Sequence, residues 1–75
     1  MKNIFLEIKM LEEGNEKDVL LHSYYSAKKY IIAKDKKSLK TIIERLNRAY
    51  PGFSKKAQMI SLLIVNEINK EVIKK

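Results

Sequence analysis

Apolar and polar residues alternate at the start of the chain and follow a helical period toward its end. In residues 3–11, apolar side chains occupy every second position: Ile4, Leu6, Ile8 and Met10. This period of two predicts a β-strand, because a helical interpretation accounts for fewer of these residues. Residues 12–18 are polar and contain a Gly-Asn pair, which predicts a turn.

Residues 19–33 fit two interpretations. Valine, tyrosine and isoleucine, which favour strands, occur in both halves of this segment. We therefore predict a short strand near 19–25 that pairs with 3–11, and a second extended segment at 29–34. The alternative is one helix over 17–33. Its helical spacing is carried by four apolar residues: Leu20, Tyr24, Ala27 and Ile31.

From residue 35 onward the pattern predicts two helices. The first, over about 36–50, has a single apolar stripe: Leu39, Ile42, Ile43, Leu46 and Tyr50. Asp35 or Ser38 would cap its start, and Pro51-Gly52 would end it. Ser54 would cap the second helix, over about 54–73.

The first half of this second helix is apolar in nearly every direction around its axis. Its apolar residues are Ala57, Met59, Ile60, Leu62, Leu63, Ile64 and Val65. Such a helix has to be buried on all sides, and a protomer of 75 residues offers few elements to cover it. We therefore predict a homodimer, and the alternative is a compact monomer whose N-terminal elements wrap the helix. The predicted dimer interface consists of Ile42, Leu46, Ile60, Leu63 and Ile64.

The composition predicts one small folded domain over residues 1–75, since 45% of the residues are apolar. With no cysteine and with His22 as its one histidine, the chain offers no disulfide and no Cys/His metal site, and we predict no cofactor. Neither a Ser/His/Asp set nor a glycine-rich phosphate loop is recognisable, which argues against an enzyme. The longest apolar run, 62–65, is far too short to cross a bilayer. No signal peptide is recognisable, so we predict a cytoplasmic protein.

The net charge of +7 is unevenly distributed. Residues 1–21 contain three basic and five acidic side chains, whereas residues 28–56 contain ten basic and two acidic ones. A segment this basic attracts polyanions, because neutralised phosphates release their counterions. A lysine-rich solvated surface without a partner is the alternative interpretation. The candidate nucleic-acid-binding residues are Lys28, Lys29, Tyr30, Lys34, Lys36, Lys37, Ser54, Lys55 and Lys56.

Two motifs lie at the start of the second predicted helix, Gly52-Phe53-Ser54-Lys55 and the run from Ala57 to Leu63. With these motifs, residues 28–72 resemble the ribbon–helix–helix family of small dimeric DNA-binding repressors. The resemblance implies that 28–34 forms an antiparallel ribbon with a partner chain and enters the major groove. Residues 1–27 would then be an N-terminal extension of a strand–helix–helix unit over 28–75. The amides after Ser54 would hold a phosphate.

The predicted fold class is therefore α+β, with N-terminal short strands followed by two helices, and the alternative is a small all-α bundle. The predicted function is that of a dimeric, duplex-DNA-binding repressor or a plasmid or viral regulator. One alternative is a protein-binding module of the inhibitor, immunity or antitoxin type, which would use the apolar helix and the acidic turn. Another is a single-strand or RNA binder that stacks bases on tyrosines. These tyrosines are Tyr24, Tyr25 and Tyr30.

Overall fold

The computed structural model describes residues 4–73, apart from the side chain of Ile73, and every regular element in that range is helical. A short 3₁₀ turn over Tyr50–Gly52 connects the last two of the four α-helices. The helices are α1 (Ile4–Lys9), α2 (Asn15–Ala33), α3 (Lys36–Ala49) and α4 (Lys55–Ile73). Asn3, the first residue of the predicted N-terminal strand, lies outside the described residues.

The α+β prediction is wrong, because the segments predicted as strands are helical and the fold is the all-α alternative. Ile4 and Ile8 of α1 are 7% and 0% exposed, whereas Leu6 of α1 and Met10, just after it, are 57% and 68% exposed. Four-residue spacing, not alternation, therefore decides which side chains are buried. The ribbon implied for 28–34 is likewise absent, because that segment is the end of α2 and the turn after it.

A single helix covers the segment for which two interpretations were open. In α2, Leu20, Ser23 and Ala27 are buried, whereas Val19 and Ile32 lie on its exposed side. Other strand-favouring residues of this segment, Tyr30 and Ile31, pack against the core. The β-propensity of the segment is overridden by the tertiary packing of the helix.

The turn between α2 and α3 is closed by backbone and side-chain hydrogen bonds. Lys34 has a left-handed conformation with φ 58°, and its N–H donates to the carbonyl of Ile31, while the Asp35 N–H donates to that of Tyr30 at 2.9 Å. This pair of hydrogen bonds is the Schellman motif, which commonly ends a helix. Asp35 then caps α3, since its carboxylate accepts from the Ser38 N–H at 3.1 Å and from the Ser38 hydroxyl at 2.7 Å. The hydroxyl bond, followed by the N–H bond, holds the pKa of Asp35 below its ordinary value.

All four helices contribute to one apolar core, in which α2 packs against the other three helices and α1 also packs on α4. The buried core residues are Ile4, Ile8, Leu20, Ala27, Leu39, Ile42, Leu46, Ala57, Ile60, Ile64 and Ile68. One protomer thus covers most of α4 with its own helices. Among residues 4–73, no helix is both long enough and apolar enough to cross a bilayer.

This packing buries most of the predicted dimer interface inside one protomer. Four of its five residues (Ile42, Leu46, Ile60 and Ile64) are buried in the core of the single protomer, and only Leu63 keeps part of its surface exposed. The physical reason is that α1, which was predicted as a strand, is a helix that lies against α4. The reason for predicting a homodimer, an α4 that one protomer cannot cover, therefore no longer holds.

Candidate nucleic-acid interface

The exposed side of α3 carries five basic side chains: Lys36, Lys37, Lys40, Arg45 and Arg48. We call these five residues the cationic face. They lie on the solvent side because the apolar stripe of α3, including Leu39 and Leu46, faces the core. Glu44 is the one acidic residue of the helix. The cationic face is therefore a strongly positive surface on a rigid element.

The cationic face has no carboxylate partner within the described residues. The ion pairs found between residues 4 and 73 join Lys17 to Glu13 at 2.7 Å and Lys70 to Glu67 at 3.3 Å. Neither pair includes a residue of α3. The positive charge of the helix is thus left for solvent, counterions or an external anion.

The predicted residues of the α2–α3 corner come together, whereas Lys28 lies apart from them. Lys34, at the end of α2, precedes Lys36 and Lys37 at the start of α3, and all three are exposed. Lys28 instead lies over the ring of Tyr24, with its Nζ 5.5 Å from the ring centroid. The sequence prediction thus named Lys36 and Lys37, at one end of the cationic face, but assigned Lys34 to a ribbon.

The tyrosines predicted as stacking platforms have different surroundings. Tyr24 and Tyr25 pack against Phe5, with ring centroids 6.0 and 6.1 Å from that of Phe5. They therefore attach α1 to α2. Tyr30 is half-buried on another side of α2, and the Nζ of Lys29 is 5.9 Å from its ring centroid. The three rings do not form a single stacking surface.

A carboxylate of the chain itself lies beside the position predicted for a phosphate, the amides after Ser54 at the start of α4. The Ser54 N–H donates to Glu16 Oε2 at 2.6 Å, and the Ser54 hydroxyl donates to Glu16 Oε1 at 2.9 Å. A carboxylate at a helix N-terminus is favoured by the free N–H groups and by the helix dipole. An external phosphate would meet the negative charge of Glu16 here, so this end of α4 and its neighbours Lys55 and Lys56 are a weaker candidate than α3.

A polar groove of about 160 Å³ lies between α2 and α3. Its lining residues are His22, Ser23, Ser26, Tyr30, Ser38, Thr41, Ile42 and Arg45. Of these, the sequence named only Tyr30 as a nucleic-acid-binding residue. The available signal was the spacing of Ser23, Ser26 and Tyr30, which places three hydroxyl groups on one side of a helix.

Two of the hydroxyl groups of this groove are already engaged within the protein. Ser38 donates to Asp35, and Thr41 donates to the carbonyl of Lys37 at 3.2 Å. The other polar side chains of the groove make no hydrogen bond in the described structure. They are His22, Ser23, Ser26, Tyr30 and Arg45.

Within residues 4–73, no three histidine, aspartate or glutamate side chains are grouped so that they could hold a metal ion. The chemistry that the arrangement supports is the binding of an anion by exposed cations and hydroxyl donors. The comparisons with known proteins add no assignment: no family model, no curated protein and no solved structure matches this chain.

Proposed function

We propose that the protein binds duplex DNA through the cationic face of α3. The observation that carries the proposal is the presence of five basic side chains on one exposed side of one helix, without a carboxylate partner among the described residues. Phosphates of the DNA backbone would supply the missing negative charge. Binding of this kind gains free energy from the counterions that the phosphates release.

The dimensions of α3 fit this role. A helix of 14 residues is about 21 Å long, and the major groove of B-DNA, about 12 Å wide, admits an α-helix. Thr41, Glu44 and Asn47 are exposed between the basic residues. These polar side chains would face the bases, whereas the lysines and arginines would contact phosphates and set the orientation. In this proposal α3 enters the major groove, whereas the resemblance implied that a ribbon enters it.

The distribution of charge along α2 supports a defined orientation on DNA. The acidic residues Glu12, Glu13 and Glu16 lie at or just before the start of this helix, and Lys34 follows its end. The 19 residues of α2 separate these groups by about 28 Å. A polyanion would therefore attract the α2–α3 corner and repel the opposite end of α2.

The test measures duplex binding by fluorescence anisotropy over a series of KCl concentrations. The double variant Lys37→Gln, Lys40→Gln removes two charges from the cationic face. We expect weaker binding and a slope of log K against log salt that is less steep by about 1.8, since each phosphate contact contributes about 0.9. The control Lys55→Gln, Lys56→Gln removes the same charge at the start of α4, beside the carboxylate of Glu16.

The control variant should keep most of the slope of the unmodified protein. Equal losses in the two double variants would show that only net charge matters and that α3 is not the interface. Failure of the unmodified protein to bind duplex DNA at low salt would reject the proposed function as a whole. Preference for one duplex sequence over others would extend the proposal to a repressor or other regulator.

A protein-binding role is the second candidate function, favoured by the outer side of α4. Met59 and Leu62 are 62% and 47% exposed there, although other residues of this helix are buried. Exposed apolar side chains are common on soluble proteins when they are few. A partner that binds α4 would lose affinity with Met59→Ser and Leu62→Ser, whereas duplex binding would be unchanged by them.

A further inference from the structure

We propose that the groove between α2 and α3 binds a single phosphate group, held by Arg45 together with the hydroxyls of Ser23, Ser26 and Tyr30. The proposal starts from the convergence of polar side chains from two helices on one concave surface. Concave sites in which several polar groups converge are typical of ligand binding. In this groove the named groups have no hydrogen-bond partner in the described structure.

The charge of the groove selects an anion. Arg45 is its one permanently charged lining residue, and no carboxylate lines it. Asp35 lies near Ser38, but both of its carboxylate oxygens accept hydrogen bonds from that residue. A guanidinium group presents parallel N–H donors that match two oxygens of a phosphate. The lining of the groove therefore offers a positive charge with directional donors, and the negatively charged Asp35 is not among its lining residues.

The hydroxyl groups of α2 supply donors on the opposite wall. Ser23, Ser26 and Tyr30 follow one another at spacings of three and four residues, so they lie on the same side of the helix. Ser23 is 8% exposed, and its hydroxyl lines the groove. An oxyanion bound in the groove would accept a hydrogen bond from it.

The groove is large enough to admit one phosphate group, since its volume is about 160 Å³ and a water molecule needs only ~10–15 Å³ of such volume. A phosphate group has a phosphorus atom and four oxygens, and its several acceptor oxygens can be reached from both walls at once. Ile42, which is buried, closes part of the groove with an apolar surface.

The phosphate can come from two sources that share this chemistry, a phosphodiester of bound DNA or a free phosphate ion. Arg45 belongs to the cationic face and also lines the groove, so a backbone phosphate placed there would fix the position of α3 along the duplex. That version rests on the proposed function. Binding of free phosphate does not rest on it.

The first experiment is a titration of the full-length chain with inorganic phosphate, followed by ¹H–¹⁵N NMR at an ionic strength held constant with chloride. We expect saturable shifts of the amides of α2 and α3 that line the groove. Arg45→Gln and the double variant Ser23→Ala, Ser26→Ala should each weaken phosphate binding about tenfold or more, as expected for the loss of charged hydrogen bonds. Lys55→Gln, which removes one charge outside the groove, should leave it unchanged.

Circular dichroism establishes that each variant is folded, and Arg45→Gln, at an exposed position, provides a second test if the serine variant does not fold. Shifts that do not saturate, or equal effects of Arg45→Gln and Lys55→Gln, would overturn the groove as a phosphate site.

The second experiment uses the same variants with duplex DNA and identifies the source of the phosphate. If the groove holds a backbone phosphate, the serine variant should weaken duplex binding without changing the salt slope, because it removes no charge. If the groove holds free phosphate, duplex binding should be unaffected by the serine variant. Once the first experiment shows saturable phosphate binding, either result identifies the source of the phosphate. The double variant Lys37→Gln, Lys40→Gln tests duplex binding by α3 and leaves the groove intact. Duplex binding by α3 and phosphate binding by the groove can therefore fail separately.

Discussion

Truncation of Ile8 to alanine tests how α1 is held on the rest of the bundle. The Ile8 side chain is fully buried in the core, and α1 lies against α2 and α4. The substitution removes three carbon atoms, which at about 0.8 kcal/mol each amounts to about 2.4 kcal/mol of lost burial. The cavity left behind adds to this figure, so the free energy of unfolding should fall by about 2–5 kcal/mol.

The matched control is Leu6→Ala in the same helix. Because Leu6 is 57% exposed, its truncation should cost less than about 1 kcal/mol. Urea unfolding followed by far-ultraviolet circular dichroism gives both values by linear extrapolation. A domain of 75 residues has a total stability of about 4–11 kcal/mol, so the loss expected for Ile8→Ala is large enough to measure.

The two variants separate a helix from a strand at residues 4–9. In a strand, Leu6 and Ile8 face the same side and their truncation should cost similar amounts. Equal losses would therefore refute the helical packing of α1. A fall in the urea m-value of Ile8→Ala, with little change in midpoint, would instead show that α1 detaches before the rest of the bundle unfolds.

Two further substitutions test the helix caps. The hydrogen bond from the Ser38 hydroxyl lowers the pKa of Asp35 from its ordinary value of 3.8, so the folded state binds this proton less readily than the unfolded state. Its contribution to stability is complete above about pH 3.8 and is lost as the pH falls through the lowered value. In acid titrations followed by circular dichroism, Asp35→Asn should show a smaller loss of stability over this range, and an unchanged titration would contradict the assignment. Ser54→Ala should lower stability by about 0.5–2 kcal/mol. Adding Glu16→Gln should then cost little more, because the two side chains bond to each other; additive losses in thermal melts would exclude that coupling.

The sequence was sufficient to locate α3 and α4 because each has several turns and clear signals at its ends. In α3, the apolar stripe, the cap at Asp35 and the stop at Pro51 agree with one another. In contrast, α1 has six residues, too few to distinguish a period of two from a period of 3.6. For α2, strand-favouring residues on both sides of the helix predict a strand, and packing against the core overrides their propensity.

The candidate site could be predicted in part, because charge is visible in a sequence and long-range contacts are not. Lys36 and Lys37 were identified from local charge density and belong to the cationic face. Arg45 was counted in the basic segment but not selected, since its place in the groove depends on the packing of α3 on α2. The contact between Glu16 and Ser54 joins residues 38 positions apart, and no local pattern predicts it.

Dimerisation and DNA binding, which the sequence analysis linked, are independent of each other in the structure. Dimerisation was inferred from an α4 too apolar for one protomer to cover, and DNA reading was inferred from a ribbon that requires a dimer. With α1 packed on α4, the first inference loses its premise. The second keeps its electrostatic basis, because the cationic face lies on a helix of one protomer and needs no partner chain to be assembled. A single such face would contact about five phosphates and give a salt slope near 4.5, whereas two faces in a dimer would approach twice that slope. The proposed DNA binding therefore requires only the exposed side of α3 and does not require a dimer.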